Sequence, residues 1–499
     1  MKRALYIIFV PCLIAILTVS ILHPQNNLIP GRIFVYMLIW VFLLFAVRLI
    51  LGLMERLLIK KGVQIAKFSR VAETICLLLY GVALYYVSVL LRADPVTDYK
   101  AVYDTALSLA GGDAAGNWDY FSMWTNNLGV LTVLAAGMKA GISLGFADPF
   151  YFVLGLNVLQ MMVCMGCISY LAGVFFPEKY SMRWFAMAVF TLWTPVWSSA
   201  NAFYSDQLSF SGSLIAFTLW ICASRKFYNS TWKKAVCLTC AGLFWGMAAC
   251  VKATAAISLV AFIILWLLNA KEQRGFIEIF WILAMAALVV KGFGLYKENY
   301  PSAQNEYRLK MPTEYWIAMG LGGNGTYAEN GELVQMCLSS PNADVRQKNC
   351  RAVIREKWKN IFDAEHMTRK TSAIFASGDI QPTSLTYPVR ETVLWQCFDT
   401  EGEYYWKYTC TSTGFFYAVL LLMILGGLLQ IFRYGQDDFM FFHYLTLFGL
   451  FLFLMLWEAQ NKQLFNHIPW LTLAVLCGIH KIECVITESR KTYDGTRSE

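Results

Sequence analysis

The chain is a succession of apolar runs separated by short polar segments. Twelve runs are present, at about 4–22, 33–54, 72–91, 149–176, 184–200, 207–224, 235–250, 253–269, 276–294, 414–432, 438–457 and 468–482. A helix needs about 20 predominantly apolar residues to cross a bilayer. The pattern therefore predicts an all-α polytopic membrane protein with about 12 transmembrane helices.

Lys and Arg residues between the runs predict the orientation, because cytoplasmic loops are enriched in both. The deciding positions are Lys2, Arg3, Arg56, Lys60, Lys61, Lys67, Arg70, Lys179, Arg183, Arg225, Lys226, Lys233, Lys234, Lys271, Arg274, Arg433 and Lys481. They fall on alternate loops if all twelve runs span the membrane and both termini are cytoplasmic. The apolar segment 127–145 would invert this order if it crossed, and Lys139 weakens it as a span. We therefore expect a re-entrant or interfacial helix there, on the outer side.

This topology divides the chain into five parts. They are 1–70, with two extra N-terminal spans and a basic cytoplasmic loop; 71–296, a transmembrane core with an extracytoplasmic loop at 92–150; 297–412, an extracytoplasmic domain; 413–484, C-terminal transmembrane helices; and 485–499, a cytoplasmic tail. The first apolar run resembles a signal peptide but has no clear small-x-small cleavage site. We interpret it as a retained span.

The predicted extracytoplasmic domain contains four cysteines, Cys337, Cys350, Cys397 and Cys410. In an oxidising compartment four cysteines form two disulfides with three possible pairings. Pairing of nearest neighbours in sequence is the arrangement we favour, and free thiols are the alternative.

Composition supports the membrane assignment. Hydrophobic residues make up 58% of the 499 positions and charged residues only 15%, whereas soluble proteins carry roughly 25% charged residues. The excess of 41 Lys and Arg over 33 Asp and Glu is modest. Loop bias accounts for it, so no nucleic-acid partner is predicted. The five His are scattered without an H-x-x-x-H pair, and no nucleotide-binding glycine motif follows a strand.

Four ionisable residues at the ends of apolar runs are the main functional signal: Asp98, Asp206, Lys252 and Glu458. The predicted topology places all four on the outer side. Ionisable groups at membrane depth are costly and usually mark a pathway or a site. We therefore expect the four side chains to meet in one pocket near the outer leaflet.

Each of these residues also has a purely structural interpretation. Asp98 begins a weakly amphipathic segment, 98–110, and an N-cap there contributes about 1 kcal/mol. Asp206 lies in a short polar turn, and Glu458 lies at the end of a span. Lys252 can extend its ammonium group to the membrane surface, or it can bind a phosphate.

Five short motifs occur in a fixed order along the chain. They are Asp98 with Val102 four positions later, Asn-Asn-Leu-Gly at 126–129, Tyr-Ser-Asp at 204–206, Lys-x-Thr at 252–254 and Met-Gly-Leu at 319–321. This order resembles that of the C-type-fold (GT-C) membrane glycosyltransferases, which use polyprenyl-phosphate sugars. In that family a Tyr usually stands at the place of Val102. The similarity is to the bacterial branch related to protein mannosyltransferases, and it covers the chain from about residue 70.

The chain departs from the family pattern near its C-terminal end. The family has an Arg-Tyr pair after the late Glu, whereas Gln463 and Leu464 stand near that place here. Lys462 is the nearby cation. Because of this departure, the family pattern does not fix the role of Glu458 or the head group of the donor.

The resemblance implies an inverting transfer of a sugar from a polyprenyl-phosphate donor to an extracytoplasmic acceptor. The acceptor would be a cell-envelope glycan, a lipid or a protein, and the enzyme would lie in the plasma membrane. Asp98 would act as general base, with Asp206 positioning the acceptor or the base, and Lys252 and Arg92 would hold the donor phosphate. The expected substrate-binding residues are Glu458, Tyr99, Tyr204, Asn126 and Trp316.

No cofactor or metal is required by this scheme, because a cation already stands at the expected phosphate site. A divalent metal near Asp206 is the alternative.

Other classes of membrane protein are also compatible with the apolar pattern. A transporter or flippase of a lipid-linked or small anionic substrate would carry charges near mid-membrane and symmetry between its halves. The sequence shows neither feature. A non-catalytic envelope assembly partner would retain the spans without needing Asp98. A polysaccharide polymerase or ligase would share lipid-linked substrates but would usually rely on Arg residues of the outer loops.

Overall fold

The computed structural model describes residues 2–113, 115–268, 276–298, 310–380, 387–432 and 438–495. Within these ranges the regular structure is helical, and the β structure is limited to an isolated bridge between Ala93 and Pro388. The all-α prediction is confirmed. Three basic residues used to predict the orientation, Lys271, Arg274 and Arg433, lie outside the described residues.

The described residues form 22 α-helices. The first fourteen are α1 (Lys2–Leu22), α2 (Pro30–Lys60), α3 (Ile65–Leu90), α4 (Thr97–Ala110), α5 (Trp118–Met123), α6 (Leu128–Ser143), α7 (Pro149–Phe175), α8 (Tyr180–Thr191), α9 (Thr194–Ser199), α10 (Ser205–Leu208), α11 (Gly212–Ile221), α12 (Thr231–Val251), α13 (Ile257–Leu268) and α14 (Phe276–Glu298). The others are α15 (Thr313–Gly320), α16 (Gly331–Leu338), α17 (Ala343–Lys357), α18 (Ala364–Phe375), α19 (Trp395–Phe398), α20 (Tyr405–Phe432), α21 (Asp438–Leu456) and α22 (Ile468–Gly495).

Ten helical stretches are long and apolar enough to cross a membrane, which confirms the multi-pass prediction. They are α1, α2, α3, α7, Ser205–Lys226 (α10 and α11 with a π-turn), α12, Phe276–Lys297, α20, α21 and Asn461–Glu488. The predicted run 184–200 contains the shorter helix α8, of 12 residues, and the described part of the run 253–269 contains the 12 residues of α13 up to Leu268. At about 1.5 Å per residue α8 spans roughly 18 Å, less than the roughly 30 Å of a hydrocarbon core. Pro195 explains the first case, because it occupies the first turn of α9 and cannot continue α8.

Two glycines allow α12 and α14 to pack closely. A Cβ on Gly242 would lie 2.5 Å from the carbonyl oxygen of Ile282, and one on Gly246 would lie 2.9 Å from that of Ala286. Small residues four positions apart let membrane helices approach in this way. Both helices end on the same side of the bundle, and each ends beside a lysine that enters the site described below.

Charged groups inside the bundle are paired. Arg48 Nε lies 2.9 Å from a Glu483 carboxylate oxygen, and Arg183 lies 2.6 Å from Glu73. The Glu55 carboxylate accepts hydrogen bonds from the first two backbone N–H groups of α8. A carboxylate at that position also interacts favourably with the helix dipole. These contacts fix the early helices α2 and α3 to α8 and α22, so the N-terminal helices belong to the bundle.

Buried Lys370 connects the large segment 310–412 to the bundle. Its Nζ donates hydrogen bonds to the carbonyl oxygens of Gly320, at the end of α15, and Met455, near the end of α21. Carbonyl groups at the end of a helix have no intrahelical partner, and the amine binds one such group on α15 and one on α21. It thereby connects α18 to both helices.

The remaining sequence predictions on loops are partly tested by the structure. Residues 127–145 contain α6, which packs against α4 and α7; its position relative to a membrane stays a prediction. The structure contains no disulfide among the four described cysteines of the large segment, although the sulfur atoms of Cys337 and Cys350 lie 3.5 Å apart. The pairing of nearest neighbours in sequence therefore stays a prediction.

Candidate functional site

A cavity of about 850 Å³, here called the central cavity, lies where distant parts of the chain meet. Small-molecule sites commonly have volumes of about 300–1,000 Å³. Its wall includes Thr97, Asp98, Tyr120, Trp124, Asn126, Asn127, Tyr204, Ser205, Lys252, Thr254, Lys297, Lys310, Trp316, Met319, Trp457, Glu458, Gln460 and Lys462. Three of the four ionisable residues singled out in the sequence, Asp98, Lys252 and Glu458, therefore share one cavity.

The start of α4 positions Asp98. The N-cap of this helix is Val96 without a side-chain cap, so Asp98 does not serve as the cap. Thr97 has a φ of 48°, in the left-handed region, which costs a non-glycine residue roughly 1–2 kcal/mol. The Asp98 carboxylate is exposed in the cavity wall and hydrogen-bonded to the Tyr120 hydroxyl. Strained backbone beside an accessible carboxylate is typical of functional sites.

A network of hydroxyl and amide groups extends from Asp98 through Tyr120 and Asn127 to Tyr204. The Asn127 amide nitrogen donates to the Tyr120 hydroxyl at 2.5 Å and to the Tyr204 hydroxyl at 3.3 Å. Burial raises the pKa of Tyr204 well above its ordinary value, and the nearby Tyr120, Asp98 and Asp206 act in the same direction. Tyr204 therefore stays protonated, and its hydroxyl keeps a proton to donate.

Lys252 lies in the turn between α12 and α13. Its backbone is extended, with φ −147° and ψ 118°, and the next residues form a 3-10 turn at Ala253–Ala256. This confirms the predicted interruption of a long apolar run. The Lys252 Nζ lies 3.0 Å from Asp206 Oδ2, and the Lys252 side chain is 20% exposed.

Asp206 lies behind Lys252 and does not form part of the cavity wall. Its side chain is 0% exposed, and among the described residues its Oδ1 has no hydrogen-bond partner. A buried carboxylate without its cation is costly. The geometry therefore pairs Asp206 with Lys252, and the role of Asp206 in positioning the acceptor or the base stays a prediction.

Glu458 follows α21 and faces the same cavity. Its carboxylate accepts a hydrogen bond from the Gln460 amide. Burial raises the pKa of Glu458, while the charges of Lys462 and Lys252 lower it and that of Asp98 raises it. Asp98, Lys252 and Glu458, three of the four residues predicted to meet, are thus close enough to affect one another.

The central cavity is formally positive. Its wall carries two carboxylates, Asp98 and Glu458, and four lysines: Lys252, Lys297, Lys310 and Lys462. The same wall includes four apolar side chains, those of Val251, Met311, Leu338 and Phe453. A wall of this kind suits an anionic group attached to an apolar chain.

Aromatic rings form another part of the wall. The rings of Trp316 and Trp457 are parallel within 2° and have centroids 5.7 Å apart. Trp124 meets Trp316 edge-on, with centroids 6.3 Å apart. Trp316 was predicted from the sequence, and the structure adds its two partners.

A second cavity of about 440 Å³, here called the side cavity, adjoins the first. The two cavities share five wall residues: Thr97, Asp98, Tyr204, Gln460 and Lys462. Tyr99, predicted as a substrate-binding residue, lies in the wall of the side cavity only. Asp98 therefore stands between the two spaces.

Arg92 has other partners than those suggested by the sequence. Its guanidinium lies 2.8 Å from the Asp148 carboxylate and 4.1 Å from the centroid of the Phe150 ring. Arg92 does not belong to the wall of either cavity. Arg92 therefore lies outside the cavity that holds Lys252, and its role as a phosphate ligand stays a prediction.

Several wall residues were not identified from the sequence. Lys297 carries a usable signal, because it ends an apolar run as Lys252 does. Lys310 and Tyr120 lie in segments without periodicity, and nothing in the local sequence distinguishes them. In the described part of the chain, no group of three or more His, Cys, Asp or Glu residues is arranged to hold a metal ion.

Comparison with known proteins places the chain in a family. The crystal structure of ArnT from Cupriavidus metallidurans bound to undecaprenyl phosphate is similar at 10% identity over 82% of this chain and 77% of that chain. Its TM-score of 0.34 is too low to carry a conclusion about the site. No curated protein matches. The family described as "conserved hypothetical integral membrane protein" matches residues 1–361, well over half of the chain, and the chain therefore belongs to this family.

Proposed function

We propose that the chain is a GT-C membrane glycosyltransferase that moves a sugar from a polyprenyl-phosphate donor to a hydroxyl group of an acceptor. One observation carries the proposal: the accessible Asp98 carboxylate faces a cavity whose wall also carries four lysines. The motif order supports it, because each of the five motifs contributes to this wall. The contributing residues are Asp98, Asn126, Asn127, Tyr204, Ser205, Lys252, Thr254 and Met319.

The donor phosphate would bind at Lys252. Asp206 holds this ammonium group at 3.0 Å, so the cation is positioned before the substrate arrives. Lys297 and Lys310 add positive charge to the same wall, and neighbouring apolar side chains would contact the first part of the lipid. Fixed cations at the place where negative charge develops lower the barrier for departure of the phosphate.

The transfer would be a direct displacement at the anomeric carbon. The acceptor oxygen forms a bond to that carbon, and the acceptor proton passes to the Asp98 carboxylate. The bond between the carbon and the phosphate oxygen breaks, and its electron pair leaves with the polyprenyl phosphate. One displacement inverts the configuration at the anomeric carbon. Asp206 is a positioning residue for Lys252 in this scheme.

The sugar head group would lie against the aromatic part of the wall. Trp316 and Trp457 offer flat apolar surfaces, and Tyr204, Asn126 and Glu458 offer hydrogen-bonding groups. Loop charge supports an orientation in which this end of the bundle faces the outside of the plasma membrane. The acceptor would then be an envelope glycan, lipid or protein, and the lysines make a metal ion unnecessary for holding the phosphate.

The proposal is tested with the full chain reconstituted in sealed vesicles that contain a polyprenyl-phosphate sugar labelled in the sugar. Release of polyprenyl phosphate together with a labelled product is expected. Asp98→Asn should lower the rate about 10²–10⁴-fold, the usual contribution of a general base. Asp104→Asn is the matched control, because Asp104 lies on the same helix, 54% exposed and paired with Lys100.

Two results would contradict the proposal. Equal rates for the wild type and the Asp98→Asn variant would remove the general base. Movement of the labelled lipid across the bilayer without transfer of its sugar would identify a flippase.

A further inference from the structure

The two cavities that meet at Asp98 differ in charge. The charged wall residues of the side cavity are Asp98, Asp379 and Lys462, a formal charge of −1, whereas the central cavity has a formal charge of +2. The other polar residues of the side cavity are neutral. They are Gln25, Asn26, Thr97, Tyr99, Tyr204, Thr326, Ser377, Thr400, Tyr405, Gln460 and Asn461.

Asp379 is the fixed carboxylate of the side cavity. It accepts hydrogen bonds from the hydroxyls of Tyr405 at 2.6 Å and Tyr408 at 2.8 Å. Its backbone carbonyl accepts a hydrogen bond from the Asn461 amide at 2.7 Å. Hydrogen bonds to a carboxylate favour its charged form, so this wall keeps a negative charge in a fixed place.

The loop between α1 and α2 forms the other part of this wall. The backbone N–H of Gln25 donates to the Ala376 carbonyl at 3.3 Å, and its side-chain amide donates to the Ser372 hydroxyl at 2.8 Å. Asn26 and Asn27 both have left-handed backbones, with φ of 57° and 55°, which Asn tolerates better than most residues. Gln25 and Asn26 line the side cavity, and Asn27 does not.

We propose that the side cavity binds the acceptor as an uncharged polyhydroxyl unit, such as a sugar of a neutral glycan, and that Gln25 and Asn26 determine acceptor specificity. The inference rests on the proposed transferase function and assigns the substrate class of the second subsite. Amide and hydroxyl groups both donate and accept hydrogen bonds, as sugar hydroxyls do. A phosphorylated acceptor would meet two carboxylates, and such repulsion excludes wrong partners.

The position of Asp98 supports this assignment. A hydroxyl group of a sugar in the side cavity would reach Asp98 from one side, while the anomeric carbon of the donor would reach it from the central cavity. The anionic leaving group stays beside the lysines, and the neutral acceptor stays beside Asp379. The anionic donor would thus lie in a positive cavity, and the neutral acceptor would lie in a cavity whose negative charge disfavours anions.

The first experiment measures acceptor kinetics in the full chain in nanodiscs, with a labelled polyprenyl-phosphate sugar and methyl hexosides as acceptor probes. Gln25→Ala and Asn26→Ala should each raise the acceptor KM about 3–10-fold, the effect of losing one hydrogen bond. The donor KM and the slow transfer of the sugar to water should not change. Asn27→Ala, in the same strained loop but outside the cavity wall, is the matched control and should behave as the wild type.

The second experiment compares each methyl hexoside with its 6-phosphate. The wild type should use the neutral form at least about tenfold better. Asp379→Asn should reduce this preference, which a merely structural role of Asp379 would not do. Equal or better use of the phosphorylated forms by the wild type would overturn the inference, as would Asn27→Ala and Asn26→Ala variants with the same acceptor KM.

The failure of the underlying function gives a different result. If the wild type released no polyprenyl phosphate with any acceptor or with water, the transferase proposal would fail and the acceptor assignment with it. If the wild type transferred sugar but the loop variants changed only the donor KM, the acceptor assignment alone would fail.

Discussion

Replacing Lys252 with methionine should destabilise the protein and weaken donor binding through two separate effects. The side chain of Asp206 is 0% exposed, and its Oδ2 lies 3.0 Å from the Lys252 Nζ. Its Oδ1 has no hydrogen-bond partner in the described part of the chain. Removing the lysine therefore leaves a buried carboxylate without its cation.

The magnitude follows from the burial of the pair. Removing one partner of a buried ion pair costs about 3–5 kcal/mol. Lys252 is 20% exposed, so water already screens it in part, and we expect a value near the lower end, about 3 kcal/mol. The double variant with Asp206→Asn removes the stranded charge as well. It should recover most of the lost stability, because replacing both partners of a pair is often nearly neutral.

The assay combines unfolding of the purified protein in nanodiscs with donor kinetics. Stability should rank wild type and double variant above Lys252→Met, while both variants should show a raised donor KM. Lys462→Met is the control, because Lys462 lies 5.6 Å over the Tyr204 ring rather than against a buried carboxylate; it should cost less than about 1 kcal/mol. The reasoning is refuted if Lys252→Met is as stable as the wild type, or if the double variant is no more stable than the single one.

Two further predictions concern the large segment. Burial lowers the pKa of Lys370 to about 7, whereas a lysine in the unfolded chain has a pKa near 10.4. Between about pH 7 and pH 10 the unfolded chain therefore holds a proton on Lys370 that the folded protein has released. The stability of the wild type relative to Lys370→Met should therefore rise with pH, by about 2 kcal/mol from pH 7 to pH 9; a flat difference in unfolding curves would contradict it. The sulfur atoms of Cys337 and Cys350 lie 3.5 Å apart, so the two residues should form a disulfide under oxidising conditions. Peptide mass mapping without reduction should detect this disulfide, and Cys350→Ser should abolish it. A Cys337–Cys410 product would show that the pairing is wrong.

Much of the architecture follows from the sequence because a bilayer imposes simple demands on composition. Ten of the twelve predicted runs contain helices long enough to cross. The run 184–200 contains a shorter helix, because hydropathy counts apolar residues and does not register where the backbone must turn. In the run 253–269 the described helix covers Ile257–Leu268. Pro195 was available as a signal in the first run, and the pair Lys252–Thr254 interrupts the apolar sequence at the start of the second.

The candidate site was less accessible to sequence reasoning. Asp98, Lys252 and Glu458 were identified because a charge at the end of an apolar run is unusual, and that criterion is local. The ion pair of Asp206 with Lys252, and the place of Asp379 in the side cavity, depend on how separate helices pack. No local sequence pattern indicates such contacts, so the ion pair of Asp206 with Lys252 was not predicted.

The charge difference between the two cavities bears on how one carboxylate can serve both substrates. A general base must remain accessible to the acceptor hydroxyl, yet a carboxylate close to a phosphate would weaken the binding of the donor. Here the lysines lie in the central cavity, and Lys462, shared by both walls, stands with Asp98 at the boundary. If the donor binds as proposed, the excess of two positive charges in the central cavity would offset the repulsion between Asp98 and the phosphate. The same excess would attract an anionic acceptor into the central cavity, and the negative side cavity would keep a neutral acceptor and a charged donor in separate places.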